Sequence, residues 1–304
     1  MKLGVAAVVV TRDRREKLAM CLDGILGQTV PADEVILLDN CSTDGTEDMV
    51  TRHYPSVTYV PLPENIGGAG GFHNGVRIAY EHGHHWYWLM DDDAIPDPDA
   101  LEHLVNAGVV LPDVGFLCSR IRDLAGKPVN LPAVRSCVQT GSQSHAFDEF
   151  MDRGAIRVVN CTFVSVLIAR AAVEEAGLPI KEFFIYGDDT EYTERISAKH
   201  SGYYVHASCA LHLVHQEDVI NLKLVDHVRL DRFMYQVRNC FYLNRKRGGC
   251  ELMWFCGGTV PVMMIKAMRR KDHRLRAFLY VLLGLLRGIV FRPRIIEVRV
   301  PSKR

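Results

Sequence analysis

The sequence predicts an α/β fold, a mostly parallel central sheet flanked by helices and followed by a helical extension. Three observations carry that expectation. Apolar runs alternate with helix-spaced segments from Leu3 to Asp93, the pattern of strand–helix–strand units. The first run, Leu3–Val10, is apolar throughout, as a strand covered on both faces of a parallel sheet must be. The composition, 48% hydrophobic and 24% charged over 304 residues, is that of a folded chain of one large or two small domains. It excludes long disorder, collagen-like repeats and a coiled coil as the main architecture.

The elements follow in order. Leu3–Val10 superficially has the outline of a secretory leader. The run is only eight residues, however, and Thr11-Arg-Asp-Arg-Arg-Glu16 follows with no small-residue cleavage site, so a buried strand is the better reading. Arg14–Gly27 has helical spacing at Leu18, Cys21, Leu22 and Ile25. Glu34–Asp39 is a second strand, and Asn40-Cys-Ser-Thr-Asp-Gly45 is turn chemistry in which Thr43 or Asp44 can cap the next helix. Val57–Val60 is a third strand. Glu64–Phe72 is a glycine-rich loop opening a helix to about His82, and His85–Met90 is a fourth strand ending in Asp91-Asp92-Asp93. Beyond it, Asp99–Ala107 reads as a helix, Val114–Ser119 as a strand, and Arg122–Phe150 as loops or a hairpin. Ile156–Ala169 is strand-like, Gly187–Lys199 helical, Tyr203–Val214 strand-like and Asp226–Arg247 a long helix.

Charge is unevenly placed. Lys plus Arg and Asp plus Glu are 36 each, but residues 265–304 hold 12 basic and two acidic residues, a local +10 that leaves −10 on the rest. Such asymmetry suggests contact with an anionic surface. The nine cysteines include no C-x-x-C pair, and several lie in apolar runs; they read as small buried hydrophobes in a reducing compartment rather than as a zinc site. No stretch reaches 18 uninterrupted apolar residues, so no ordinary membrane span is expected.

Three groups of residues carry chemistry. Asp91, Asp92 and Asp93 follow Trp86-Tyr-Trp-Leu-Met90, at the carboxyl end of a buried strand, where open α/β sheets bind ligands. Adjacent carboxylates repel, so a cation is the natural compensation, and hard oxygen donors suit Mg²⁺ or Mn²⁺; a solvated acidic turn is the bland alternative. Gly67-Gly68-Ala-Gly70-Gly71 lets backbone approach an anionic ligand, or is simply a flexible turn. Asp188-Asp189-Thr-Glu191 opens a predicted helix, either as charge complementing the helix dipole or, at Asp189, as a general base. His212 and His215 follow, as structural histidines or as a metal ligand.

Taken together, Val8-Val-Val-Thr11-Arg12, Leu37-Leu-Asp39-Asn40, Thr43-Asp-Gly-Thr46, Asn65-Ile-Gly-Gly-Ala-Gly-Gly-Phe72, Asp91-Asp-Asp93, Gly187-Asp-Asp189-Thr-Glu-Tyr192 and the later histidine resemble the family 2 glycosyltransferases of the A-type, Rossmann-like nucleotide-sugar fold. The resemblance covers roughly residues 3–245, and the glycine loop with the triple Asp is similar to bacterial galactofuranosyltransferases and rhamnosyltransferases. It implies Thr11 and Asp39 at the uridine end of a donor, with Arg12, Asn65, Gly67, Gly68, Gly70, Gly71, Asp91 and Asp92 in the donor-binding set. It implies Asp91 and Asp93 as metal ligands for Mg²⁺ or Mn²⁺, with His215, 13 residues after Gly202, as the third and His212 as runner-up. Asp189 matches the base. Arg238-Asn239 matches a further family element. Gly187 stands where the galactofuranosyl branch often carries Trp.

The implied activity is metal-dependent, inverting transfer of a sugar to a hydroxyl of a lipid-linked surface polysaccharide. The donor expected is UDP-galactofuranose, with dTDP-rhamnose as the alternative. A nucleotidyltransferase would want a glycine-rich loop after the first strand, where Thr11–Glu16 has none, and a non-catalytic membrane-bound subunit would not need Asp91, Asp93, Asp189 and the histidine together. The expected organisation is a catalytic domain over residues 1–225, with a nucleotide-binding half to about 120 and an acceptor-binding half from 121, then a helical extension over 226–304. In that extension, apolar segments 252–265 and 277–286 with basic flanks fit interfacial helices. They would attach the chain peripherally to the cytoplasmic face of the inner membrane; no nucleic-acid partner is expected.

Overall fold

The computed structural model describes residues 4–134, 148–214 and 230–298. Its contacts divide the chain into two units, the first of residues 1–181, 189–216 and 295–304, the second of residues 182–188 and 217–294. The expected boundary between residues 225 and 226 falls outside the described residues.

The first unit is built on one sheet. Its centre is β1 (Val5–Thr11), every residue of which is buried. It pairs in parallel with β2 (Glu34–Asp39) and β4 (Trp86–Asp91), and β2 pairs in parallel with β3 (Thr58–Pro61). This half is parallel as expected. The other half is mixed. β9 (Val166–Ala169) runs antiparallel between β4 and β6 (Val114–Arg122), and β6 pairs in parallel with β10 (Ser201–His212). β10 also takes β8 (Ala155–Asn160) and the short β5 (Ala94–Pro96), both antiparallel, and β7 (Ala133–Val134) closes the edge on β8.

The apolar stretch expected as one strand over Ile156–Ala169 is two, β8 and β9. The break at Cys161 is stabilised from α6 (Asp188–Ser197): Thr193 Oγ1 accepts from Cys161 N–H at 3.1 Å and donates to its carbonyl at 3.3 Å. The same helix holds a buried ion pair, Arg195 with Glu191, whose guanidinium also donates to the carbonyls of Ala176 and Leu178.

Helices α1 (Arg15–Leu26), α2 (Thr46–His53), α3 (Gly67–Glu81), α4 (Ala100–Val110) and α5 (Arg170–Ala176) complete the unit. α1 buries Leu18, Cys21, Leu22 and Ile25, the face its spacing predicts. α2 has Gly45 at its cap position, and Asp44 accepts from Thr46 N–H and Oγ1. The glycine run lies inside α3 and brings it close to the sheet. A Cβ on Gly71 would stand 2.4 Å from Val10 Cγ1, and one on Gly75 2.3 Å from Val8 Cγ1; a larger residue would have to displace these buried valine side chains.

The second unit is helical: α7 (Arg232–Arg247), α8 (Gly249–Trp254), a π-helical turn over Phe255–Thr259, α9 (Val260–Met268) and α10 (Arg274–Val290). These helices bury a core of their own, including Phe233, Val237, Phe241, Phe255, Ala277 and Val281. Gly284 and Gly288 let α10 approach α7, because a Cβ there would meet Val237 Cβ and Phe241 Cβ at 2.7 Å. The opposite face of α10 is apolar too, with Leu279 53% and Val290 75% exposed. No helix among the described residues is long and apolar enough to cross a membrane.

Candidate active site

Parallel register brings the ends of β1, β2 and β4 together. Thr11 pairs with Asp39 across one side, and Val10 with Asp91 across the other. The carboxylates after Met90 therefore emerge beside Thr11, at the carboxyl edge of the sheet.

Each acid of the triplet has a different environment. Asp92 is buried; it accepts from Thr11 Oγ1 at 2.8 Å and from Arg14 Nη1 at 3.0 Å. Burial raises its carboxyl pKa against the pull of Arg14 and Thr11. Asp93 accepts from Arg14 Nη1 at 2.9 Å and Lys17 Nζ at 3.2 Å, and its Oδ1 lies 3.1 Å from His212 Nε2. Burial works against its ionisation, but the His212 hydrogen bond, Arg14 and Lys17 hold its pKa down to about 2. The Asp91 carboxylate makes no hydrogen bond or ion pair among the described residues. Burial and then the Asp93 charge push it up to about 8, and the charges of His212, Asp92 and Asp189 also reach it.

His212 is placed by strand pairing. It stands opposite Ala94 in the β10–β5 register, and Leu213 N–H donates to the Asp93 carbonyl at 2.8 Å. One ligand atom each from Asp91, Asp93 and His212 lies within 4.8 Å of the others. Two carboxylates and one imidazole suit Mg²⁺ or Mn²⁺, and the Asp91 carboxylate has no other partner among the described residues, so the residues fit such an ion. His215 lies outside the described residues.

Asp189 stands in the first turn of α6, where its Oδ1 accepts from Thr190 N–H at 2.6 Å and Thr190 Oγ1 at 3.3 Å. Burial raises its pKa, with those hydrogen bonds opposing.

The remaining predicted residues divide between open and occupied. Asp39 is buried and engaged, accepting from Tyr59 Oη at 2.6 Å and Ser42 N–H at 2.9 Å. Arg12 is exposed and contacts Asp13. Asn65 Oδ1 accepts from Gly67 N–H at 3.0 Å, so it shapes the start of α3. Gly67 has φ +76, while a Cβ on Gly70 would meet the Ile66 side chain at 2.8 Å. A Cβ on Gly68 would meet nothing within 4 Å, unlike those on Gly70 and Gly71.

Arg14 and Lys17 were not singled out by sequence reasoning. The register that sets β1 beside β4 brings the basic run after β1 to the carboxylates. Arg238-Asn239 now has a structural account within the second unit. Asn239 Nδ2 donates to the carbonyls of Phe183, Ile185 and Tyr186 at 2.8–3.0 Å, and Arg238 donates to those of Glu182 and Phe183.

Residues 6–175, more than half of the chain, match the family model Glycosyl transferase family 2. Over 203 residues the chain is 30% identical to the galactofuranosyltransferase GlfT1 of Mycolicibacterium smegmatis, a match covering 63% of this chain and 65% of that protein. The chain thus spans slightly less than two thirds of that relative's length. Among solved structures, S. aureus TarS 1-349 in complex with UDP aligns with a TM-score of 0.54 at 12% identity, over 94% of this chain and 88% of that one. GalNAc-T7 with UDP, GalNAc and Mn²⁺ aligns with a TM-score of 0.54 at 15% identity, over 79% of this chain and 50% of that one. At those identities the structural likeness speaks for the fold, a mixed α/β sheet flanked by helices as in A-type glycosyltransferases. The extent of the family match settles the affiliation: the chain belongs to glycosyl transferase family 2.

Proposed function

We propose that the chain transfers a sugar from a nucleotide-sugar donor to an acceptor hydroxyl with inversion, and that the donor is UDP-galactofuranose. The observation that carries this reading is the unpartnered Asp91 carboxylate, grouped with Asp93 and His212 at the carboxyl edge of the sheet and close enough to Asp189 to feel its charge. The identity with GlfT1 favours galactofuranose among the possible sugars.

Asp91, Asp93 and His212 would hold the divalent ion. When bound it supplies neutralisation of the charge that develops on the departing diphosphate. The chain's own residues prepare the rest. Arg14 and Lys17 keep Asp93 ionised and fix Asp92 and Asp93 in place. Asp189 takes the proton of the acceptor hydroxyl as that oxygen bonds to the anomeric carbon. The bond from that carbon to the diphosphate oxygen breaks, and nucleoside diphosphate leaves. A single displacement inverts the anomeric centre. Burial raises the proton affinity of Asp189 and so improves it as a base at neutral pH.

The acceptor is a lipid-linked glycan, and the second unit attaches the chain peripherally to the cytoplasmic face of the inner membrane. This reading is supported by the exposed apolar face of α10 and by the net +10 of residues 265–304. The test is a donor panel, including UDP-galactofuranose and dTDP-rhamnose, offered to the full chain with lipid-linked acceptors and read by mass spectrometry. Transfer from UDP-galactofuranose with inverted configuration is expected. Preferred transfer from dTDP-rhamnose would replace the donor, and absence of nucleoside diphosphate release from every donor would overturn the activity.

A further inference from the structure

The second unit contains an open recess of about 440 Å³, lined by Glu182, Arg238, Arg287, Val290, Phe291, Arg292, Pro293 and Arg294. Four arginines and one glutamate thus line it. Among the described residues none of the four forms an ion pair. Among the described residues Arg292 donates to the carbonyls of Ile289 and Phe291, Arg287 reaches only the weakly accepting sulfur of Met234, and Arg294 makes no hydrogen bond.

Arg238 is the most engaged member. Its guanidinium lies 4.1 Å from the Phe291 ring centre and 4.9 Å from that of Tyr235, and its hydrogen bonds go to Asn239 and to the backbone of Glu182 and Phe183. Burial, and after it the nearby Arg287 charge, pull its pKa down to about 10, with Tyr235 and Glu182 opposing. With no ion pair among the described residues, this buried cation would be stabilised by an anion in the recess.

The rim identifies the kind of anion. Val290 is 75% exposed, and Leu279, Leu283, Leu286 and Ile289 continue the apolar surface along α10. A free phosphate would have no use for that surface, whereas a phosphate borne on a hydrocarbon would. Guanidinium pairs phosphate oxygens in bidentate geometry, and several of them match a phosphate monoester or diphosphate better than the single charge of a phosphodiester. The volume lies within the range of ligand sites, roughly 300–1,000 Å³.

We propose that this recess binds the terminal phosphate or diphosphate of a membrane amphiphile, with Arg287, Arg292 and Arg294 as its direct partners and Arg238 held behind them. The inference takes its setting from the peripheral attachment proposed above, and its test separates the two. Full-length chain is sedimented with phosphatidylcholine vesicles carrying either phosphatidylglycerol or a polyprenyl diphosphate, at equal surface charge. Binding at least tenfold tighter to the diphosphate vesicles is expected. The variant Arg287→Gln/Arg292→Gln/Arg294→Gln should fall to the phosphatidylglycerol level, with its unfolding midpoint unchanged because these side chains are exposed. Equal binding to both vesicles, or a preference that survives in the triple variant, overturns the proposal. If neither vesicle binds the chain, the attachment reading fails, and calorimetry with inorganic pyrophosphate in excess chelator then decides the recess. Heat of binding in wild type that the triple variant lacks supports the site; identical traces overturn it.

Discussion

His212 Nε2 lies 3.1 Å from Asp93 Oδ1, although 119 residues separate them in the chain. The contact is made by strand register: β5 directly follows the triple Asp, and its pairing with β10 sets His212 opposite Ala94. His212→Ala is therefore expected to raise the concentration of Mn²⁺ or Mg²⁺ needed for half-maximal turnover by on the order of 10- to 100-fold, and His215→Ala to have the smaller effect. Metal titrations of the two variants check this. The opposite ranking would move the ligand to His215.

Asp189→Asn keeps the shape of the proposed base and removes its proton affinity. Loss of transfer by on the order of 10²–10⁴ is expected, with donor affinity nearly intact. The wild-type pH profile carries the same assignment. A base works deprotonated, and burial raises this carboxyl above its ordinary value. Transfer should therefore fall on acidification through an apparent pKa above 3.8, and that limb should vanish from the residual rate of Asp189→Asn. A variant within about tenfold of wild type would remove Asp189 from the role.

The first half of the fold was legible because short uninterrupted apolar strands alternate there with helix-spaced segments and turn chemistry. β1 is apolar on both faces, and α1 shows its buried face at Leu18, Cys21, Leu22 and Ile25. The antiparallel insertion of β9 was not legible. An apolar run such as Ile156–Ala169 has no period to show a break, and the break at Cys161 is made by Thr193, 32 residues away. At the site, the triple Asp and Asp189 could be singled out as types of chemistry. The choice of Arg14 and Lys17 as counter-charges of Asp92 and Asp93, and the pairing of His212 with Asp93, depend on which segments the sheet brings side by side, and no spacing in the chain encodes that.

The glycines of α3 give a test of packing against ligand contact. Gly75→Ala would place a methyl 2.3 Å from Val8 Cγ1 in the fully buried central strand. Overpacking of this kind costs about 1–3 kcal/mol. Gly68→Ala meets nothing within 4 Å and lies in the helix, so it should gain about 0.5–1 kcal/mol from lowered chain entropy. If Gly68 also faces the donor, as proposed for the glycine run, that variant should raise the donor KM while leaving the fold more stable. Urea unfolding of both variants, with donor kinetics for Gly68→Ala, separates the effects. Equal stability changes at the two positions would contradict the packing account.

Asn239 fastens the segment that precedes Asp188 in the chain. Its single amide serves three carbonyls, those of Phe183, Ile185 and Tyr186, and it is buried. The segment needs such a clamp, because Phe184, Tyr186 and Gly187 have φ of 64°, 69° and 78°, and side-chain-bearing residues occupy that region only when their surroundings impose it. Gly187 shows the same constraint from the other side. A Trp at this position would require φ +78 and would start 3.2 Å from Leu243 Cδ1, so the glycine is demanded by backbone and packing alike. Asn239→Leu keeps the branched shape and removes both donors; the half-buried carbonyls of Ile185 and Tyr186 lose this partner, while that of Phe183 keeps Arg238 and Ile185 N–H, a loss of about 0.5–1.5 kcal/mol per hydrogen bond. The expected result is a lowered unfolding midpoint together with faster hydrogen exchange at residues 184–187, while the β1 and β4 amides keep their protection. Unchanged exchange at residues 184–187 would mean that the aromatic contacts of Phe184 with Tyr235 and of Phe183 with Tyr242 hold the segment without Asn239.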